Sequence, residues 1–347
     1  MACASLVAMV AAMWLCAGAL AATTPAPLMT YITGLDKPVP QVWVSGIDGS
    51  AAVDLGPASS ALISPSGIDV AAISIQKGAT SRTSTLSLYT TSGGTPVTIL
   101  DTQQFTQVLA WSHDSKYLLV TVGASPAQLR VIDTGTDASH TLATGVIDGA
   151  SFAPDSSDQV VYARAAVNTA RVNIYTASAT GAGTRALTHD GLSEYPLWGP
   201  HGIVYSHETP RPKNPYPALQ LWFMSSTGSG AHELTTTTVQ ASQEGLAPIA
   251  FSSNGEHLLA NLVGPAGSDQ AEAYAVALNG GKATAPRDVT GQGNGNIGDA
   301  ISADGKTILV TKGVADNLAP LSIETIPWSG GTPTTVVAQG AYASWDL

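Results

Sequence analysis

Cysteine is almost absent. The 347 residues hold two, Cys3 and Cys16, and both fall in an amino-terminal segment that reads as removable. The mature chain then has none, which excludes disulfides, thiol catalysis and cysteine-ligated zinc. Charge is scarce too. Asp, Glu, Lys and Arg make up 11% of the residues, and 14 basic side chains face 25 acidic ones for a formal net charge of -11. No basic stripe is present to follow a phosphate backbone, so nucleic acid is excluded as an expected partner. Catalytic signatures are missing as well. Gly191-Leu192-Ser193-Glu194-Tyr195 lacks the closing glycine of a hydrolase elbow, and His207-Glu208-Thr209-Pro210-Arg211 lacks the second histidine of a zinc-protease helix.

The first 35 residues carry no charged side chain, and an apolar run from Leu6 to Leu20 ends in Ala19-Leu20-Ala21. This reads as a secretory signal peptide over 1–21, a linker over 22–28 and a mature body over 29–347. A periplasmic or secreted location follows, with no membrane span in the mature chain. An uncleaved anchor is the alternative, because about 20 apolar residues can cross a bilayer.

What is present is a pattern repeated seven times. A β-type run opens each unit at Val42, Leu86, Leu129, Val172, Leu219, Ala273 and Leu321. A bulky residue, Ile63, Trp111, Phe152, Trp198, Phe251, Ile301 or Trp345, stands just before the tight turn of its unit. Those turns, such as Ser112-His113-Asp114-Ser115 and Ser302-Ala303-Asp304-Gly305, use Asp, Asn and Gly for local hydrogen bonds or positive φ. The bulky residues are expected to pack one unit on the next. Recurrence of four-strand units at this spacing predicts an all-β, seven-bladed β-propeller of antiparallel blades. The run Met29-Thr30-Tyr31-Ile32-Thr33 reads as the strand missing from the final unit, so the amino- and carboxy-terminal strands are expected to close one blade together.

The phrasing of these repeats resembles the TolB-like, WD-related propeller family. Leu187-Thr188-His189-Asp190-Gly191 leading through Tyr195-Pro196-Leu197-Trp198 matches it best, and the resemblance covers the mature chain. Two departures stand out: no counterpart of TolB's separate amino-terminal domain is expected, and seven units replace TolB's six. The resemblance implies the fold more than TolB's own envelope role.

In such a blade the loops entering the innermost strand and leaving the second strand share one face, the mouth, and the Asp-Gly turns lie on the other. The mouth is expected to show Gln107, Asp148, Arg164, Glu194, Tyr195 and Tyr342. The fourth repeat is the densest part of it, because Glu194 and His207-Glu208 should meet at one end of a hairpin beside His189 and Asp190. Imidazole with carboxylate can bind a divalent metal or move protons, although the spacing matches no standard metal motif. A proline-rich insertion, 209–217, would present Arg211 and Tyr216 to a partner or act as a stiff spacer. The segment from Asp288 to Asp299 loosely mimics a calcium loop but reads as a Gly-Asn loop. Two functions remain open. One is a monomeric, non-enzymatic scaffold, needing no cofactor, that holds an envelope or secreted protein. The other is an enzyme acting on a carbohydrate or small molecule, resembling propeller-built lyases that use histidine and a metal near the axis.

Overall fold

The computed structural model describes residues 27–77, 82–155, 157–210, 218–236, 245–263, 271–279, 281–291, 296–313 and 321–346. The expected signal segment lies outside them, as do Arg211 and Tyr216. All regular structure among the described residues is β.

The strands follow one another as antiparallel meanders. The first contains β1 (Leu28–Thr33), β2 (Gln41–Gly46) and β3 (Val53–Pro57); the second contains β4 (Ser60–Ile63), β5 (Asp69–Lys77), β6 (Arg82–Thr90) and β7 (Val97–Thr102). Next come β8 (Thr106–Trp111), β9 (Tyr117–Val122), β10 (Ala127–Asp133) and the long β11 (Ser139–Phe152). The first half of β11 pairs with β10 and its second half with β12 (Gln159–Ala165), which continues into β13 (Val172–Ser178) and β14 (Arg185–Ala186). Then follow β15 (Ser193–Gly199), β16 (Gly202–Thr209), β17 (Ala218–Met224) and β18 (His232–Glu233). After these come β19 (Gly245–Phe251), β20 (His257–Val263), β21 (Ala271–Asn279) and two short strands on β21, β22 (Lys282–Ala283) and β23 (Arg287–Asp288). The last meander is β24 (Ile297–Ile301), β25 (Thr307–Lys312), β26 (Ser322–Pro327) and β27 (Thr334–Val337). Finally β28 (Ala341–Trp345) lies antiparallel to β1, giving a sheet of order β28-β1-β2-β3.

The turns form as their residues dictate. In 112–115 the Ser112 hydroxyl donates to Asp114 at 2.6 Å and accepts the Tyr117 N–H at 2.8 Å, while Asp114 accepts the Lys116 N–H at 3.1 Å. Ser302 and Asp304 repeat the arrangement, and Gly305 takes the left-handed position at φ 71. These carboxylates are spent on their own turns: the Lys306 N–H and the Ser302 hydroxyl bring Asp304 down to about 2.

Apolar clusters form between consecutive meanders rather than within one. Ile32, Val42, Ile63 and Val70 join the first to the second; Ile73, Leu86, Trp111 and Leu118 join the second to the third. The series continues to a cluster in which Leu309 and Ile323 meet Met29, Ala343 and Trp345. A fully buried aliphatic side chain contributes about 1.5–3 kcal/mol, so the stability resides in these joints. Hydrogen bonds across the joints fix the inner strands. The Ile63 N–H donates to Ser344 Oγ at 3.0 Å, the Trp198 N–H to Ser151 Oγ at 2.9 Å, and Ser206 Oγ to Leu246 O at 2.8 Å. Asn261 both donates to Gly298 O at 3.0 Å and accepts its N–H at 2.8 Å.

Five of the seven bulky residues are buried as expected: Ile63, Trp111, Phe152, Ile301 and Trp345. Trp198 and Phe251 are only partly buried, because both also face a cavity.

Candidate functional site

The strands β8, β11, β15, β19, β24 and β28 each shift register two to four residues before their carboxy ends, the mark of a bulge. Bulges re-aim side chains next to sites. At two equivalent positions the bulge residue is a tyrosine in the left-handed region, Tyr195 at φ 48 and Tyr342 at φ 54. A bulky residue there carries backbone strain of about 1–3 kcal/mol and persists only where the surroundings over-determine it. Tyr342 is 42% exposed and its N–H donates to Thr311 Oγ1 at 2.8 Å. Tyr195 abuts Gly149, where a Cβ would stand 3.3 Å from the Tyr195 Cα. The neighbouring Asp148 is half-buried, and burial raises its carboxyl above the usual carboxylate range.

The expected hairpin cluster forms in the fourth repeat. Ser193 is paired with His207 and Glu194 with Ser206, and the Glu208 N–H donates to Leu192 O at 2.9 Å. His207 Nε2 and Asp190 Oδ2 are 3.0 Å apart. Asp190 also accepts from the Leu192 N–H at 3.0 Å and from Ser193 Oγ at 3.1 Å. Burial pushes Asp190 up, but the Leu192 N–H, His207 and the Ser193 hydroxyl outweigh it and hold the carboxyl below its ordinary value. The imidazole stacks on Trp222, centroids 4.4 Å apart, with Tyr205 edge-on at 6.4 Å. Two buried nitrogens of this stack, His207 Nδ1 and Trp222 Nε1, have no hydrogen-bond partner. A hydroxyl could accept from the indole and donate to the imidazole. Among the described residues no group of three or more His, Cys, Asp or Glu side chains could hold a metal ion.

The remaining expected residues are dispersed. Gln107 is exposed on β8 and His189 is exposed on the loop before Asp190. Arg164 is half-buried on β12, its guanidinium 5.7 Å from the Tyr175 ring centroid.

Sequence reading met Asp299 only as the end of a loop and missed its place against Thr311 and Ala343. It accepts from Thr311 Oγ1 at 2.6 Å and from the Ala343 N–H; burial outweighs both and raises its carboxyl to about 7. A signal for it was available. Two residues before each bulky residue the other repeats carry Ala61, Leu109, Ala150, Pro196, Ile249 and Ala343, so Asp299 is the single carboxylate at that position. Also missed is a cavity of about 650 Å³ on the turn face, where the turns around His113, Asp155, His201 and Ser252 converge. Its inner wall is formed by Leu197, Trp198, Ile249 and Phe251.

No protein-family model matches the chain, and no curated protein matches it in sequence. Solved structures do resemble it. TolB from Acinetobacter baumannii is 13% identical with a TM-score of 0.54, over 89% of this chain and 79% of that one. The β-propeller domain of the Trilobed protease from Pyrococcus furiosus, described as having an open velcro topology, is 12% identical with a TM-score of 0.63, over 90% of this chain and 92% of that one. Acylaminoacyl peptidase from Pyrococcus horikoshii is 12% identical with a TM-score of 0.58, over 90% of this chain and 51% of that one. At this identity the likeness shows the fold alone, and the described residues have the fold of a TolB-like β-propeller.

Proposed function

We propose that the chain is an exported, monomeric, seven-bladed propeller that holds another envelope or secreted protein at its mouth and catalyses no reaction. Pairing of β28 with β1 and the apolar cluster joining the last meander to the first support closure of the ring. The observation that carries the binding role is the pair of left-handed tyrosines. Strain kept at two equivalent bulges, with one ring 42% exposed, suits a recognition surface, since the few residues that carry most of the binding energy at protein interfaces are enriched in Tyr, Trp and Arg. The half-buried Asp148 and Glu194 beside them would add the polar contacts that set specificity.

The test is cross-linking of the tagged mature protein in its native envelope extract, alongside a Tyr195→Ala, Tyr342→Ala variant of unchanged thermal midpoint. A chain captured by the parent and lost from the variant supports the scaffold. Equal capture by both, or none by either, overturns it.

A second reading, an enzyme, is favoured by one arrangement only: the Asp190–His207 pair, whose carboxylate holds one ring nitrogen while the other faces no partner. A carboxylate bonded to one nitrogen fixes the tautomer and leaves the other free to take a proton. Turnover of a carbohydrate or small molecule that is abolished by His207→Ala would replace the scaffold reading with this one.

A further inference from the structure

The cavity on the turn face lies away from the mouth, and neither reading above uses it. Its volume of about 650 Å³ falls within the roughly 300–1,000 Å³ of small-molecule sites, which combine apolar walls with a few convergent polar groups. Trp198 and Phe251 hold the positions that elsewhere are buried between meanders, yet both remain partly exposed here. Their apolar surface therefore meets solvent inside a concavity. Phe251 is fixed by Gly199: a Cβ at Gly199 would come within 2.5 to 2.8 Å of three atoms of the ring. His201 is held by Asn254 O, 3.0 Å from its Nε2.

The rim has one formally charged lining side chain, Asp155, which accepts the Ser157 N–H at 2.9 Å. The Ser157 hydroxyl and N–H keep this carboxyl below its ordinary value, so it is ionised at neutral pH. His113 adds a weaker effect of the same sign, and Asp158 is a second carboxylate close enough to feel its charge. An electron-rich indole face favours cations, and a net charge of -11 enriches cations around the molecule at long range.

We propose that this cavity binds a small organic cation with an apolar or aromatic body, the body against Trp198 and Phe251 and the positive group at Asp155. Most of the affinity comes from the apolar walls. The charge selects among bodies of the same shape.

Calorimetric titration with 2-phenylethylammonium at pH 8 tests the site against its neutral analogue 2-phenylethanol and its anionic analogue phenylacetate. The expected result is saturable binding of one ammonium ion per chain. The alcohol binds about three- to fivefold more weakly, the worth of an exposed ion pair, and phenylacetate more weakly still. Asp155→Asn, an exposed turn substitution that can keep the Ser157 bond, brings the ammonium down to the affinity of the alcohol. Gly199→Ala, which drives the Phe251 ring from its place, weakens all three probes together. Absence of saturable binding to the parent overturns the proposal. So does equal affinity for the three probes, or an Asp155→Asn variant that binds the ammonium as the parent does.

Discussion

Asp299 and His232 both set a stability that falls as pH rises, by opposite chemistry. Burial lifts the Asp299 carboxyl to about 7, whereas an unfolded aspartate titrates near 3.8. Between those values the folded chain binds the extra proton, so stability declines from about pH 4 to about pH 7 and then levels. Asp299→Asn, which keeps an acceptor for Thr311, should remove that slope and raise stability at pH 8 by about 4 kcal/mol at most. Denaturant melts at pH 4, 6 and 8 measure it. In His232 both ring nitrogens face carbonyls, Nδ1 at 2.8 Å from Gly230 O and Nε2 at 2.6 Å from Gly281 O. Carbonyls only accept, so both bonds require the doubly protonated ring, and the two carbonyls raise its pKa above 6.5. Its contribution is complete below pH 6.5 and disappears as pH rises through the raised value. The gap in thermal midpoint between the parent and His232→Ala should therefore be widest near pH 5.5 and narrow as pH rises.

Thr311, on β25, couples the strands on either side of it, β24 and β28. Its oxygen accepts the Tyr342 N–H at 2.8 Å and its hydroxyl donates to Asp299 at 2.6 Å, with the side chain wholly buried. Thr311→Val orphans both partners and should cost about 1–3 kcal/mol, while moving Asp299 to a still higher pKa; urea unfolding and carboxyl titration by NMR report the two effects. Gly245, at the parallel contact of β19 with β17, has φ 136, and a Cβ there would strike the Leu219 carbonyl. Gly245→Ala should destabilise by at least the roughly 1–3 kcal/mol of a strained backbone position, seen as a lowered urea midpoint.

Elements of this kind were legible because their chemistry is local. Ser302-Ala303-Asp304-Gly305 states its turn in four residues, and Met29–Thr33 is identified as the strand that the final repeat lacks. The Asp190–His207 contact was also readable, since the hairpin through 199–202 dictates which residues face each other. The cavity was not, because Trp198 and Phe251 are identical in pattern to the buried Trp111 and Phe152. Their exposure depends on how the meanders converge, which no single repeat encodes. The place of Asp299 was overlooked for a different reason: the residue stands out only when one position is compared across all seven repeats.

For the whole molecule the junction of β28 with β1 and β4 matters most. The Leu28 N–H donates to Asp346 Oδ1 at 2.8 Å, and the Ile63 N–H to Ser344 Oγ at 3.0 Å. Deleting residues 341–347 removes both bonds, exposes the edge of β1 and uncovers Met29, which is fully buried. An unpaired edge templates association with other chains. The truncated protein should therefore elute as dimers or larger species in size-exclusion chromatography and melt below the parent.

The same junction sets a clock. Leu28 and Asp346 are 318 residues apart, and at about 5–20 residues per second of synthesis the first strand emerges roughly 15–60 s before its partner exists. Throughout that interval β1 has one bare edge and no lasting neighbour on that side. A chaperone that masks extended segments would have its greatest effect there, and the final step of assembly would wait on delivery of the last strand.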